Sequence, residues 1–273
     1  MNEAVRLQDC DPTAAHVLGR GLTVGVLAAS LLEPGDRINL AWRYSGSLRT
    51  LVVDAGRDGT ARGMVGPAHL DATADNGDQF YGERGSIQVI RMRSGKILSS
   101  GTAETRLQEL VSDYGHYASA SDQTETGVVA MIGFRSDPAA PVAVARGVLL
   151  QALPGCDPAR FDAVRSRMGG DRFRGMLADA DCADVRSWIA ALLDDSAGPA
   201  AVALEEGDQP RFSCTCSRGK MDDVARSLPV PERMRIVREK EPLAVTCQFC
   251  RRRYELTVED CIAAWNQGRN ADL

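Results

Sequence analysis

Polar and apolar residues alternate through "RINLAWRY", Arg37 to Tyr44, and the pattern resumes in "LRTLVVDA" from Leu48 after the turn pair Ser45-Gly46. A period of two interrupted by a turn predicts a β-hairpin. Asp58-Gly59 supplies a second turn, and "SIQVIRMR" with "KILSS" flanks a third at Ser94-Gly95. The period then lengthens: Leu107, Leu110, Val111, Tyr114 and Tyr117 recur at helical spacing, and the helix is read from Thr102 onward. "GVVAMIGF" and "VAVARGVLLQALP" read as two further strands that end at Pro154-Gly155. The longest apolar run, "LTVGVLAASLL" from Leu22 to Leu32, stops at Glu33-Pro34-Gly35. It is far short of the roughly 20 residues of a membrane span and reads as a buried helix. These elements predict one mixed α/β domain over residues 1–156.

The pattern changes at Asp157-Pro158, an N-cap followed by proline at the first helical position. Phe161, Val164 and Met168 carry that helix to Gly169-Gly170. Further on, Val185, Trp188, Ile189, Leu192 and Leu193 fall at i, i+3, i+4, i+7 and i+8, one apolar stripe that needs a surface to lie on. From Ala197 to Gln209 no period survives. Residues 157–210 therefore read as a helical linker docked on the first domain and ending in a flexible strip.

The remaining segment, 211–273, has few large apolar residues and would be marginal without a staple. It holds half of the eight cysteines, as Cys214 and Cys216 in "FSCTCS" and Cys247 and Cys250 in "TCQFC". C-x-C, thirty residues, then C-x-x-C suits tetrahedral Zn²⁺, a closed site that holds structure rather than hydrolysing a substrate. The opening "MNEAVRLQDC" has no apolar signal core, so a cytoplasmic location is expected, where such pairs bind metal or do redox work. Adjacent cysteines at both ends can also close on themselves when an oxidant attacks, which makes a metal-to-disulfide switch conceivable chemistry.

Charge refines this picture. The net charge is −5, yet Arg211 to Glu255 carries eleven Lys and Arg against six Asp and Glu, a local +5 that leaves the rest at −10. Arg218, Lys220, Arg251, Arg252 and Arg253 flank the cysteine pairs and favour thiolates. From Asp157 to Asp208 eleven acidic residues face six basic ones, and this acidic linker is expected to lean on the basic segment. The overall balance speaks against nucleic acid as partner. "GRGLTVG" at Gly19 to Gly25 lacks the Lys of a phosphate loop, so no nucleotide is expected. His16, His69 and His116 stand apart from any nucleophile pattern, and no catalytic residue is assigned.

"FSCTCSRGKMDDVARSL" and "VTCQFCRRRYELTVED" resemble the C-terminal redox module of the 33 kDa chaperonin family, the oxidation-activated holdase chaperones. "GVLLQALPG" at Gly147 to Gly155 resembles a strand of that family, and "ASDQTET" at Ala120 to Thr126 its "SEQ" motif with Asp122 in place of Glu. The resemblance implies an α+β protein: an N-terminal α/β core, a helical linker and a small zinc-binding redox domain. It implies metal ligation by Cys214, Cys216, Cys247 and Cys250, and disulfides Cys214–Cys216 and Cys247–Cys250 in the active form. It further implies a stress-response holdase, independent of ATP, whose partners are unfolding client proteins; a homodimer stays open for the oxidised form. On that basis oxidation starts at Cys247 and Cys250, the module loses zinc and fold, and the stripe of Val185, Trp188, Ile189, Leu192 and Leu193 becomes exposed to clients. Cys10, Cys156, Cys182 and Cys261 match no ligand; Cys156 and Cys182 read as buried small hydrophobes, and Cys261 as a thiol just past the module. Two other readings remain: a zinc ribbon on nucleic-acid phosphates, and a thioredoxin-like enzyme built on Cys247 and Cys250.

Overall fold

The computed structural model describes residues 1–70, 77–182, 184–193 and 203–269. They belong to two units, Met1–Ser213 and Cys214–Leu273.

The first unit is built on the expected hairpins. Strands β1 (Asp36–Tyr44), β2 (Thr50–Gly56), β3 (Thr60–Gly66), β4 (Gly85–Arg93) and β5 (Lys96–Glu104) form an antiparallel sheet in the order β5-β4-β1-β2-β3. Arg43 pairs with Thr50, so the Ser45-Gly46 turn joins β1 to β2, and Leu48 is buried in that connection rather than in the strand. Alternation places Ile38, Leu40 and Trp42 of β1 inward, and the Trp42 indole donates to the Leu110 carbonyl at 3.1 Å. Arg211 and Phe212 add a short strand, β8, parallel to β3 opposite Thr60 and Ala61. The first unit thus runs three residues beyond the boundary at Pro210 drawn from the sequence.

Helices α1 (Asn2–Gln8) and α2 (Pro12–Ala29) open the chain. The Asp11 carboxylate caps α2 by accepting from Ala14 N–H at 2.7 Å, with Pro12 at the first position. The apolar run from Leu22 is therefore the buried end of a helix, as expected. The phosphate-loop look-alike lies inside it, and its glycines serve packing. A Cβ on Gly21 would stand 2.5 Å from Leu51, and one on Gly25 2.4 Å from Val53, so bare backbone lets α2 sink onto β2.

One expectation fails here. Thr102 lies in β5, paired with Gln88, and the helix α4 spans Leu110–Ser121. Glu109 decides the start: its carboxylate accepts from Val111 and Ser112 N–H, leaving Leu107 exposed ahead of the helix. Asp113, buried, accepts from Tyr44 O–H at 2.8 Å and from Leu107 and Glu109 N–H, which ties α4 to β1.

Strands β6 (Thr126–Phe134) and β7 (Val142–Gln151) form a separate antiparallel pair. Helix α2 packs on this pair as well as on β2 and β3. Three more helices follow, α5 (Pro158–Gly169), α6 (Asp171–Ala178) and α7 (Val185–Leu193). Asp157 caps α5 through Ala159 N–H, as the sequence suggests. Gly169-Gly170 ends α5, and α6 starts at once behind it, an element the sequence reading leaves out. Part of the strip expected to be flexible, 194–202, lies outside the described residues; 203–210 carries no regular element.

The second unit comprises α8 (Arg218–Ser227), α9 (Val230–Glu239), the hairpin β9 (Leu243–Thr246)–β10 (Arg253–Leu256) and α10 (Val258–Arg269). Its buried apolar cluster is small: Met221, Ala225, Leu256, Cys261 and Ala264. Among the described residues no helix is long and apolar enough to cross a membrane.

Candidate metal centre

Two turns of the second unit present the cysteines. Cys214 and Cys216 lie in the extended residues before α8, whose first turn is capped by Ser217. Cys247 and Cys250 lie in the turn of the β9–β10 hairpin, closed by Cys247 N–H to Arg252 O at 2.9 Å and Arg251 N–H to Cys247 O at 2.9 Å. Arg251 takes the left-handed conformation that such a tight turn demands, with φ at 58°.

All four sulfurs lie within 4.8 Å of one another, with Cys214 to Cys247 at 3.7 Å and Cys216 to Cys250 at 3.3 Å. Sulfurs at about 2.3 Å from a tetrahedral zinc stand about 3.8 Å apart, whereas a disulfide needs about 2.05 Å. None of the eight cysteines is joined to another by a disulfide. The donor set and spacing fit one thiophilic ion and no bond between sulfurs. Cys247 is buried and the other three are half-buried. The Cys250 thiol is pushed up to about 12, first by burial and also by its sulfur neighbours. That burial keeps the Cys250 proton in place unless a cation favours the thiolate.

The chain adds supports that the sequence reading missed. Tyr254 O–H donates to Cys216 Sγ at 3.2 Å, and the hydrogen bond and charge of Tyr254, with the Cys216 and Cys250 sulfurs behind it, raise the pKa of Arg252. A signal exists, since β10 alternation turns Tyr254 and Leu256 to the same face. Lys220 reaches Thr215 rather than a sulfur, at 2.9 Å. Arg218 donates to Glu255 O and to Asp260, and Arg226, Arg235 and Arg253 pair with Asp223, Glu232 and Glu255. The basic excess is therefore spread over internal ion pairs. The C-x-x-C segment stands between two strands, without the helix N-terminus that depresses a thioredoxin-like thiol.

The remaining cysteines need correction. Cys156 is exposed in the turn after Gly155 and Cys182 is half-buried, so neither is a buried core residue. Cys261 is not past the module but inside its core, fully buried in α10, where burial raises its thiol pKa and leaves it inert.

Beyond the cysteines, a family comparison is decisive: the model described as "Hsp33 protein" matches residues 1–257. The chain belongs to the Hsp33 family. A "33 kDa chaperonin" of Pelobacter propionicus is 30% identical over 264 residues, covering 94% of this chain and 84% of its own length. One from Bacillus cereus strain G9842 is 28% identical over 265 residues, with 95% and 89% covered. The crystal structure of a 33 kDa chaperonin from Thermotoga maritima superposes with a TM-score of 0.80 at 19% identity, over 98% of this chain and 91% of that one. That likeness establishes a shared α+β fold.

In this Hsp33 chain the apolar stripe of α7 divides. Trp188, Leu192 and Leu193 join Val164 and Met168 of α5, Phe173 and Leu177 of α6, and the strand residues Val129, Met131, Val148 and Leu150 in one cluster. Ile189 is half-buried, and Val185 faces outward, 51% exposed. The "ASDQTET" stretch closes α4: Asp122 accepts from Arg91 at 2.5 Å, and Thr126 N–H is held by the Ser119 hydroxyl.

Proposed function

We propose that this Hsp33 chain is an ATP-independent holdase chaperone, dormant while reduced and switched on by oxidation of its four-cysteine centre. The observation that carries the reading is the gathering of four thiols within 4.8 Å in a unit whose apolar cluster, among the described residues, has five buried members. Zn²⁺ held by Cys214, Cys216, Cys247 and Cys250 would supply a closed clamp contributing about 10 kcal/mol or more to folding.

Each disulfide forms when two thiols give up two electrons and two protons to one peroxide, which leaves as two waters. Cys247 and Cys250 react first in this reading, followed by Cys214 and Cys216. A sulfur committed to a disulfide is a poor metal ligand, so the four-thiolate set is dismantled and the unit keeps only its small core. The effect reaches the first unit along the chain itself. Cys214 directly follows Ser213, whose N–H bonds Ala61 O at 3.0 Å beside β8. Loss of order at Cys214 frays this strand and the 203–210 segment leading to it. In the proposed division 157–210 acts as the linker between a core, 1–156, and the redox module. Its stripe of Val185, Trp188, Ile189, Leu192 and Leu193 then parts from β6 and β7, and the apolar residues on both sides take up unfolding clients.

The metal half is tested by atomic absorption and a chromophoric chelator. Reduced protein is expected to carry one zinc per chain and to release it as four thiols disappear under peroxide. A reduced chain without stoichiometric zinc would overturn the proposal.

A further inference from the structure

Val144, Arg146, Val148 and Leu150 alternate onto one face of β7, and Val148 and Leu150 there pack under the helices. That register calls for an apolar residue at 146, yet a guanidinium stands there. Its Nη1 donates to the carbonyls of Asp179 at 2.5 Å, Cys182 at 2.9 Å and Leu177 at 3.5 Å, and its Nη2 to Ala180 at 3.1 Å. Helix α6 ends at Ala178, so these oxygens belong to its last turn and the bend behind it, the end that lacks intrahelical donors and carries the negative pole. The same guanidinium lies over the Trp188 ring of α7, 5.3 Å from its centroid. The Trp188 indole N–H is buried without an acceptor among the described residues, so stacking and apolar packing hold that ring.

We propose that Arg146 is the latch that fastens α6 and α7 to the β6–β7 sheet and sets how much oxidant is needed before their apolar face is released. The proposal rests on the docked-helix reading of function given above. One side chain rooted in the sheet gathers the end of α6, the following bend and the α7 tryptophan, which nothing else in β7 does among the described residues. Its partners are backbone carbonyls and a ring. Arg146 acts on the helices and not on clients or metal, which makes it a positioning residue.

The test is Arg146→Met in the full reduced, zinc-loaded chain, which keeps an apolar stem and removes every donor. Amide hydrogen exchange in α6 and α7 is expected to quicken at least about tenfold, equivalent to about 1.4 kcal/mol, with α2 and β1 unchanged. The peroxide dose giving half-maximal suppression of client aggregation is expected to fall, with zinc content unaltered. Arg146→Lys keeps the charge but not the fork and should fall between the two; should the methionine variant fail to fold, exchange in the lysine variant decides. Wild-type exchange in α6 and α7 would overturn the latch. Exchange reports on the latch even if oxidised wild-type protein proves inactive on clients, an outcome that would sink only the functional reading.

Discussion

Cys247→Ser is expected to abolish stoichiometric zinc binding and unfold residues 214–269 while the first unit keeps its sheet. The side chain is the most buried of the four thiols and stands 3.7 Å from Cys214, so its loss opens the tetrahedron from within. A serine hydroxyl stays protonated near neutral pH and is no substitute for a thiolate donor. A zinc clamp would be worth on the order of 10 kcal/mol, and a 60-residue unit resting on Met221, Ala225, Leu256, Cys261 and Ala264 could not absorb the loss of even half of that. Zinc content and the amide dispersion of α8, β9 and β10 in NMR spectra report the outcome. A variant that binds metal as the parent does, or keeps those elements ordered without it, contradicts the clamp.

The second large effect concerns the docked helix. Leu192→Asp places a carboxylate at the most buried point of the α7 stripe, 7% exposed, among Val129, Val164, Met168, Phe173 and Leu177. An unpaired charge there costs about 3–5 kcal/mol, more than a nine-residue helix can recover from its own hydrogen bonds. Helix α7 should leave the sheet with the metal still bound. The reduced variant is then expected to suppress aggregation of a heat-unfolded client about as well as oxidised wild type, read by light scattering. Suppression no better than reduced wild type, with α7 shown by hydrogen exchange to be detached, would show that this face does not hold clients.

Much of this was readable from residue patterns, and the misreadings have local causes. Strand alternation and turn pairs marked β1, β2, β4, β6, β7 and the start of β5, whereas β3 showed only as the Asp58-Gly59 turn ahead of it and β5, exposed along most of its length, lost its end to the helix reading. The helix misplaced at Thr102 shows the limit: helical spacing from Leu107 to Tyr117 does not mark where the helix begins, which the Glu109 cap sets. The missing α6 shows another, since a helix beginning right after Gly169-Gly170 looks like a loop until its Phe173 and Leu177 meet the sheet. The cysteine spacing pointed to the centre without help from the fold. Arg146 was invisible because it acts through a distant partner, the end of α6, and Tyr254, to which only the β10 alternation pointed, was missed because its partner Cys216 lies 38 residues away. Cys261 was misplaced for the opposite reason: sequence distance from Cys250 says nothing about the core that α10 completes.

The central claim is that oxidation of four gathered thiols converts a dormant chain into one that holds unfolding proteins. Light scattering of a thermally unfolding client, recorded with reduced zinc-loaded protein and with the same preparation after peroxide, tests it most directly. Strong suppression by the oxidised form alone, reversed by dithiothreitol, is the predicted result. Equal scattering curves for the two forms would contradict it.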